Sequence, residues 1–314
     1  MHPLLLKGQG ITVVRPYRIP GTAIGAGVAG LAFILAVALV VTAVDWPISF
    51  PQFLAYFGAG VLVLLAASFA FWAYGCLTLQ YAMDRSGLLI GWGLMKHFIA
   101  MDSIQKLTLG RAEHRVSVKG LGWFGYHIGQ GSVEGVEGID DVLFFSTHRS
   151  SEELVYVQTS STVYAISPMD PVRFIADAQR LQSASGGGAT TRRSGVERDI
   201  ISGHPIWADR TAQALGVAAI VLNILLWGFI FAVYPDLDQT ITIEFPPLGD
   251  IATKESRSEI LKIPATATAI LVVNLLAGLG FQWRERAATY LLLSGAVFFQ
   301  ALFWVGAIIA VLNA

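Results

Sequence analysis

The apolar positions of this chain collect into five long runs, 22–44, 52–80, 213–234, 264–282 and 287–312, interrupted by one insert of about 125 residues in which polar and apolar positions mix. Each run reaches the roughly 20 residues needed to cross a hydrocarbon core of about 30 Å, and none holds an Asp, Glu, Lys or Arg. The pattern predicts five transmembrane helices. The second is long enough for its last turns to stand in the cytoplasm.

Inside the insert the period shortens to that of strands. Leu77 to Asp84, a turn at Arg85-Ser86-Gly87 and Leu88 to Trp92 read as a hairpin, and Phe98 to Leu109 continues it. After a glycine-rich stretch, Val142 to Thr147, Leu154 to Gln158 and Val163 to Ile166 carry the β-branched and aromatic residues that suit a half-buried pleated surface. A helix follows. Asp170 is placed to cap it, Pro171 takes its first position, and Phe174, Ile175, Ala178 and Leu181 share one face. That face is expected to plug the open end of a sandwich or partly open barrel.

Composition sharpens the membrane reading, since 54% of residues are hydrophobic and only 14% charged, too few for a soluble chain of 314 residues. The net charge of −1 hides an asymmetry in the short connections. Lys7, Arg15 and Arg18 lie in the N-terminal tail and Arg284 and Arg286 in the last turn. The segment Pro235 to Ile263 carries six acids against Lys254, Arg257 and Lys262. Positive charge is retained on the cytoplasmic side, so the tail, the insert and the last turn are expected inside and the C-terminus outside. Trp46, Trp72, Trp207, Tyr234, Trp283 and Trp304 fall near the span ends, as interfacial aromatics do. The first run reads as a retained anchor, because it lacks a small-x-small cleavage site.

Several chemistries find no support. Cys76 is the single cysteine, which excludes an internal disulfide or a thiolate cluster within one chain. Proton-coupled transport normally keeps ionisable groups at mid-membrane, and the runs have none. All six histidines lie outside the runs, so no axial haem ligand is in place. Gly25-x-Gly27-x-x-Gly30 and Gly120-x-Gly122-x-x-Gly125 imitate a dinucleotide fingerprint, yet the first is within a span and the second lacks a following helix. No cofactor, metal site or catalytic set is expected.

What remains are surfaces. Asn223 and Asn274 are the strongest polar groups at depth, each a little over 10 Å from its cytoplasmic helix end at about 1.5 Å per residue. If their helices are neighbours, the two amides bond each other as packing glue or line a substrate site. Gly21, Gly25 and Ala29 make a small-residue ladder on the first helix, a docking face that is internal or intermolecular. Between Lys119 and Asp141, seven glycines surround Trp123, Phe124, Tyr126 and His127, a set that meets a partner or the bilayer interface, or else fills the core. Residues 81–206 hold 12 basic and 13 acidic residues with no tight basic run except Arg192-Arg193, so a specific phosphoinositide site is not expected.

Two resemblances bear on this. Tyr81-x-Met83-Asp84-x-x-Gly87-Leu88-x-Ile90, Phe98-Ile99-x-Met101-x-x-Ile104 and Tyr164-Ala165-Ile166-Ser167-Pro168-x-Asp170-Pro171-x-x-Phe174 together resemble the bacterial pleckstrin-homology-like domains of membrane proteins, over about residues 77–183. The likeness implies a seven-stranded barrel with a C-terminal helix, used for binding or assembly without catalysis. Pro235-Asp236, Glu244-Phe245-x-x-x-Gly249-Asp250, Lys254 and Leu261-x-x-Pro264 resemble a short hairpin domain of unknown function found in bacterial toxin-immunity and signalling membrane proteins. That family often has a histidine where Glu244 stands, and Gly249 serves a turn.

The expected molecule is therefore a polytopic α-helical membrane protein of five transmembrane helices, with an inserted α+β PH-like antiparallel barrel capped by one helix. Its parts are a cytoplasmic tail (1–21), helices one and two (22–80), the PH-like domain (81–183), a flexible linker (184–206) and helices three to five with an outer loop at 235–263 (207–314). It is expected in the bacterial inner membrane as a scaffold or accessory subunit whose partners are other membrane proteins or itself, in contact with the bilayer and not with nucleic acid. The alternative is a small-molecule transporter, or a ligand-sensing or immunity-type protein, using the hairpin of helices three and four and the outer loop.

Overall fold

A computed structural model describes residues 12–111, 115–123, 125–134, 142–148, 150–160, 162–184, 195–198, 204–243 and 253–314. In chain order the first elements are β1 (Thr12–Val14), α1 (Ile19–Ala43), α2 (Phe50–Thr78), β2 (Gln80–Met83), β3 (Gly87–Trp92), β4 (Met95–Ala100) and β5 (Ile104–Leu109). They are followed by β6 (Arg115–Trp123), β7 (Tyr126–Glu134), β8 (Val142–Ser146), β9 (Val155–Thr159), β10 (Val163–Ile166), α3 (Pro171–Ala184) and β11 (Gly195–Arg198). The chain ends with α4 (Arg210–Val233), β12 (Thr240–Ile243), β13 (Thr253–Ser256), α5 (Lys262–Phe281) and α6 (Arg286–Leu312). It divides into two compact units, Met1–Ala32 with Leu64–Ser202 and Phe33–Val63 with Gly203–Ala314. Five helices, α1, α2, α4, α5 and α6, are long and apolar enough to cross a membrane.

The first unit is built on two sheets, with strand orders β1-β2-β3-β4-β11 and β5-β9-β10-β8-β7-β6. This departs from the expected single antiparallel barrel: among the described residues no closure joins the sheets, and β10 runs parallel to β8. The reason is local. The chain leaves β8, turns through a short 3₁₀ segment at Ser151–Glu153 and returns as β9 two strand positions away, leaving between them the place that β10 fills. Phe98 to Leu109, expected to continue the hairpin, is divided by a 3₁₀ turn at Met101–Ser103 that carries the chain from one sheet to the other. Leu77, expected to open β2, still belongs to α2.

The alternation of β8, β9 and β10 sorts their side chains between two cores. Phe145, Val155, Val157 and Ile166 join Tyr81, Met83, Leu88, Ile90 and Ile99 from the facing sheet, with Phe174 and Ala178 of α3 against them. The intervening Phe144, Tyr156 and Ala165 point the other way, into a second cluster with Val133 and Val142. α3 begins as expected, the Asp170 carboxylate accepting from Arg173 N at 2.9 Å, and its predicted apolar face is the one that packs.

The glycine-rich stretch, given no strand above, is mostly the hairpin β6–β7, paired over nine residues from Arg115↔Glu134 to Trp123↔Tyr126. Glycine is a poor strand former, but at Gly131 a Cβ would collide with Ser117 O and lie 2.7 Å from the Phe144 ring. The missing side chain is the space Phe144 occupies. Two more strands escape the sequence pattern: β1 pairs with β2, and β11, inside the expected flexible linker, pairs with β4.

In the second unit α4, α5 and α6 share a core of small and branched residues, Ala219, Leu271 and Ala296 in one cluster and Leu226, Ile230, Ala267 and Ala307 in another. Gly228 admits the Phe53 ring and Gly278 the Leu293 side chain, the close approach that small residues permit. The last carbonyls of a helix have no partner within it; Gln52 meets the final one of α1, its amide donating to Ala43 O at 2.9 Å and, in the turn that follows, to Trp46 O at 3.0 Å.

Candidate functional site

Four polar side chains of the helical unit, Asn223, Trp227, Thr268 and Gln300, form one connected set. Asn223 Nδ2 donates to Gln300 Oε1 at 3.1 Å, Gln300 Nε2 to Ala267 O at 2.9 Å, Thr268 Oγ1 to Asn223 Oδ1 at 3.1 Å and Trp227 Nε1 to Thr268 Oγ1 at 2.9 Å. Asn223 and Gln300 are buried. The expected Asn223–Asn274 pair is not made: Asn274 Nδ2 donates to Ile270 O on its own helix. Helical phase decides this, since Asn223 is directed at Thr268 and Gln300 and Asn274 turns back one turn. Asn223→Leu should lower the unfolding free energy of the chain in detergent by about 1 kcal/mol, read as a fall in thermal midpoint. Asn274→Leu, at similar depth, should be close to neutral.

At the start of α4, Asp209 caps Ala212 N at 3.0 Å and receives Gln282 Nε2 and the Tyr290 hydroxyl, each at 2.9 Å. Its bond from Ala212 N, then those from Gln282 and Tyr290, hold the carboxyl below the usual carboxylate range. Three helix ends are thereby tied to one anion.

In the β-domain, the Tyr81 hydroxyl donates to Phe145 O at 2.6 Å and accepts from Ser167 N at 3.2 Å. The side chain is fully buried, and burial pushes its phenol well above the ordinary value. Nearby, Ser146 Oγ and His148 Nδ1 are 2.7 Å apart, and the His148 ring lies 4.0 Å, centroid to centroid, from that of His127. Burial, with a smaller contribution from His127, pushes His148 down to about 3, and burial lowers His127 as well. A Ser–His contact invites a nucleophile reading, but Ser146 has no exposed surface and so weak a base would not activate it. The His127–His148 stack sets β7 against the end of β8.

The residues expected to form a partner surface separate. Trp123 ends β6 and Tyr126 begins β7, their backbones paired in register at the hairpin tip; Phe124 lies outside the described residues. His127 turns inward onto His148, so its ring belongs to the fold. Gly21 and Gly25 face inward too: a Cβ on Gly21 would collide with Gly125 O and lie 2.9 Å from Cys76 Sγ, and one on Gly25 would lie 3.0 Å from Ala73 Cβ. Ala29 is buried with them, which makes the ladder an internal face. Glu244 and Gly249, expected in an outer loop, lie outside the described residues. Among the described residues, no group of three or more His, Cys, Asp or Glu is placed to hold a metal.

Two sheets about a common core, closed by one C-terminal helix, are the arrangement of a PH-like domain. Residues 79–182 match the family model of the bacterial PH domain. The match opens at Leu79, the one residue between α2 and β2, and closes within α3. No curated protein and no solved structure matches the chain. Sequence reasoning found the PH-like core strands and the capping helix. It missed Tyr81 as a lock and the His127–His148 stack, because both arise from residues far apart in the chain.

Proposed function

We propose that this is a bacterial inner-membrane protein crossing the bilayer five times, in which the PH-like domain acts as a cytoplasmic interaction module and the chain serves as a non-enzymatic scaffold or accessory subunit. The observation that carries the proposal is the fusion itself: a segment matching the bacterial PH domain follows α2 with only Leu79 between. Outward-facing apolar residues such as Leu31, Ile34 and Leu64, each at least 60% exposed, fit a lipid environment. The charge asymmetry supports an inside PH-like domain and an outside hairpin β12–β13. Partners are other membrane proteins or a second copy.

The rival reading, a transporter or a ligand-sensing protein of the immunity type, draws on the resemblance of the segment 235–264. Against it, Asn223, Thr268 and Gln300 are engaged with one another, where a substrate site keeps polar groups facing a cavity. Purification in mild detergent followed by mass spectrometry separates the two. The scaffold reading expects a stoichiometric partner, or a defined oligomer, whose retention weakens in Trp123→Ala with Phe124→Ala while the domain stays folded. A monomer with saturable small-molecule binding would replace it with the rival.

A further inference from the structure

We infer that the β-domain is seated in the headgroup layer of the bilayer, through the β3–β4 and β6–β7 turns, with the lipid interface as its partner on that face. The inference rests on the reading that α1 and α2 cross a membrane, and it deepens that reading by saying where the domain stands.

Depth can be measured along the helices. Gly25 of α1 packs on Ala73 of α2. From Gly25 to Ala43, the end of α1, the helix rises by about 27 Å at about 1.5 Å per residue, close to the roughly 30 Å of a hydrocarbon core. The level of Gly25 and Ala73 is therefore where hydrocarbon gives way to headgroups. Both turns of the β-domain reach that level. Trp92, the last residue of β3, makes an edge contact with Phe71 at 6.4 Å between centroids. Gly93, held at φ +54°, lies over Gly75, its N–H donating to Thr78 Oγ1 at 2.9 Å. On the other side Gly125, at φ +78°, is set against Pro20 and Gly21, with Cys76 Sγ 4.0 Å from its carbonyl.

The seat is fixed. Arg18 donates from its guanidinium to Leu77 O at the end of α2, Cys76 Sγ lies 3.5 Å from Arg18 O, and only the fully buried Leu79 separates α2 from β2. A domain held this way cannot swing clear on a tether. The side chains around the seat have the character of an interfacial belt: Trp92 is half-buried, and Tyr74 and Leu77 on α2 with Tyr17 and Ile19 before and in α1 are exposed. Rings with one apolar body and one polar atom favour this layer.

The test is spin-label depth measurement on the full chain in vesicles of phosphatidylethanolamine and phosphatidylglycerol. The background is Cys76→Ala, and single labels are placed by Leu94→Cys in the β3–β4 turn, Lys96→Cys beside it, Glu152→Cys on the exposed 3₁₀ turn, and Leu64→Cys in mid-α2. Labels at 94 and 96 are expected at the headgroup boundary, colliding with oxygen more and with a nickel chelate less than the label at 152; the label at 64 is expected in hydrocarbon. Labels at 94 and 96 as open to the chelate as that at 152, with 64 still deep, would overturn the seat and leave the membrane reading standing. A label at 64 open to the chelate would overturn both.

Discussion

Acidification from pH 7.5 to 4.5 is expected to remove roughly 3 kcal/mol from the stability of the β-domain through His148, since each pH unit below an unfolded value of 6.5 is worth about 1.4 kcal/mol. The direction follows from the shift. In the unfolded chain His148 takes a proton near 6.5; in the fold, burial and the adjacent His127 keep it neutral until about 3. The unfolded state therefore binds more protons throughout that window. The contribution is intact above pH 6.5, declines as pH falls, and is exhausted near 3. His127, also lowered by burial, acts in the same sense. Urea midpoints of the full chain in detergent, followed by pulse proteolysis between pH 7.5 and 4.5, measure it. His148→Asn should flatten the profile in that window, above the range where most carboxylates titrate. An unchanged wild-type midpoint would mean that the rings are solvated.

Tyr81→Phe is expected to cost the β-domain about 2–3 kcal/mol although it deletes a single oxygen, because it strips a partner from both Phe145 O and Ser167 N in a region without water access. For a domain of about 100 residues this corresponds to a fall of about 10 °C or more in midpoint. Tyr81 lies on β2, Phe145 on β8 and Ser167 just past β10, so its hydroxyl links the two sheets at the approach to α3. Amide exchange should accelerate in β8 and at the start of α3 while α4–α6 keep their protection. A loss below about 0.5 kcal/mol would show that packing alone holds the sheets.

How much of this could be read from the chain depends on how local the deciding interaction is. Asp170 and Pro171 announce α3 because capping is settled within four residues, and the cap is present. The five apolar helices follow from run length and the absence of charge. By contrast, Thr12–Val14 is too short to be recognised as a strand until β2 is beside it, and Gly195–Arg198 becomes β11 only against β4. Gly120, Gly122, Gly129 and Gly131 weaken the local case for β6 and β7, and the need for glycine at 131 is set by Phe144, a residue on a third strand. Asn223 announced itself as a buried polar group, yet its partners are 45 and 77 residues away.

By itself, then, the order of apolar and polar residues determined five long helices, an inserted strand-rich segment and its closing helix, since each depends on solvent preference and short-range backbone chemistry. Only the tertiary structure decided that the strands divide into two sheets, that Tyr81 and His148 become buried polar centres, that Gly21 and Gly25 face inward, and that Trp92 meets Phe71. Those outcomes depend on which distant surfaces come into contact, and the free energy of such contacts is a property of the pair of surfaces rather than of either stretch of chain.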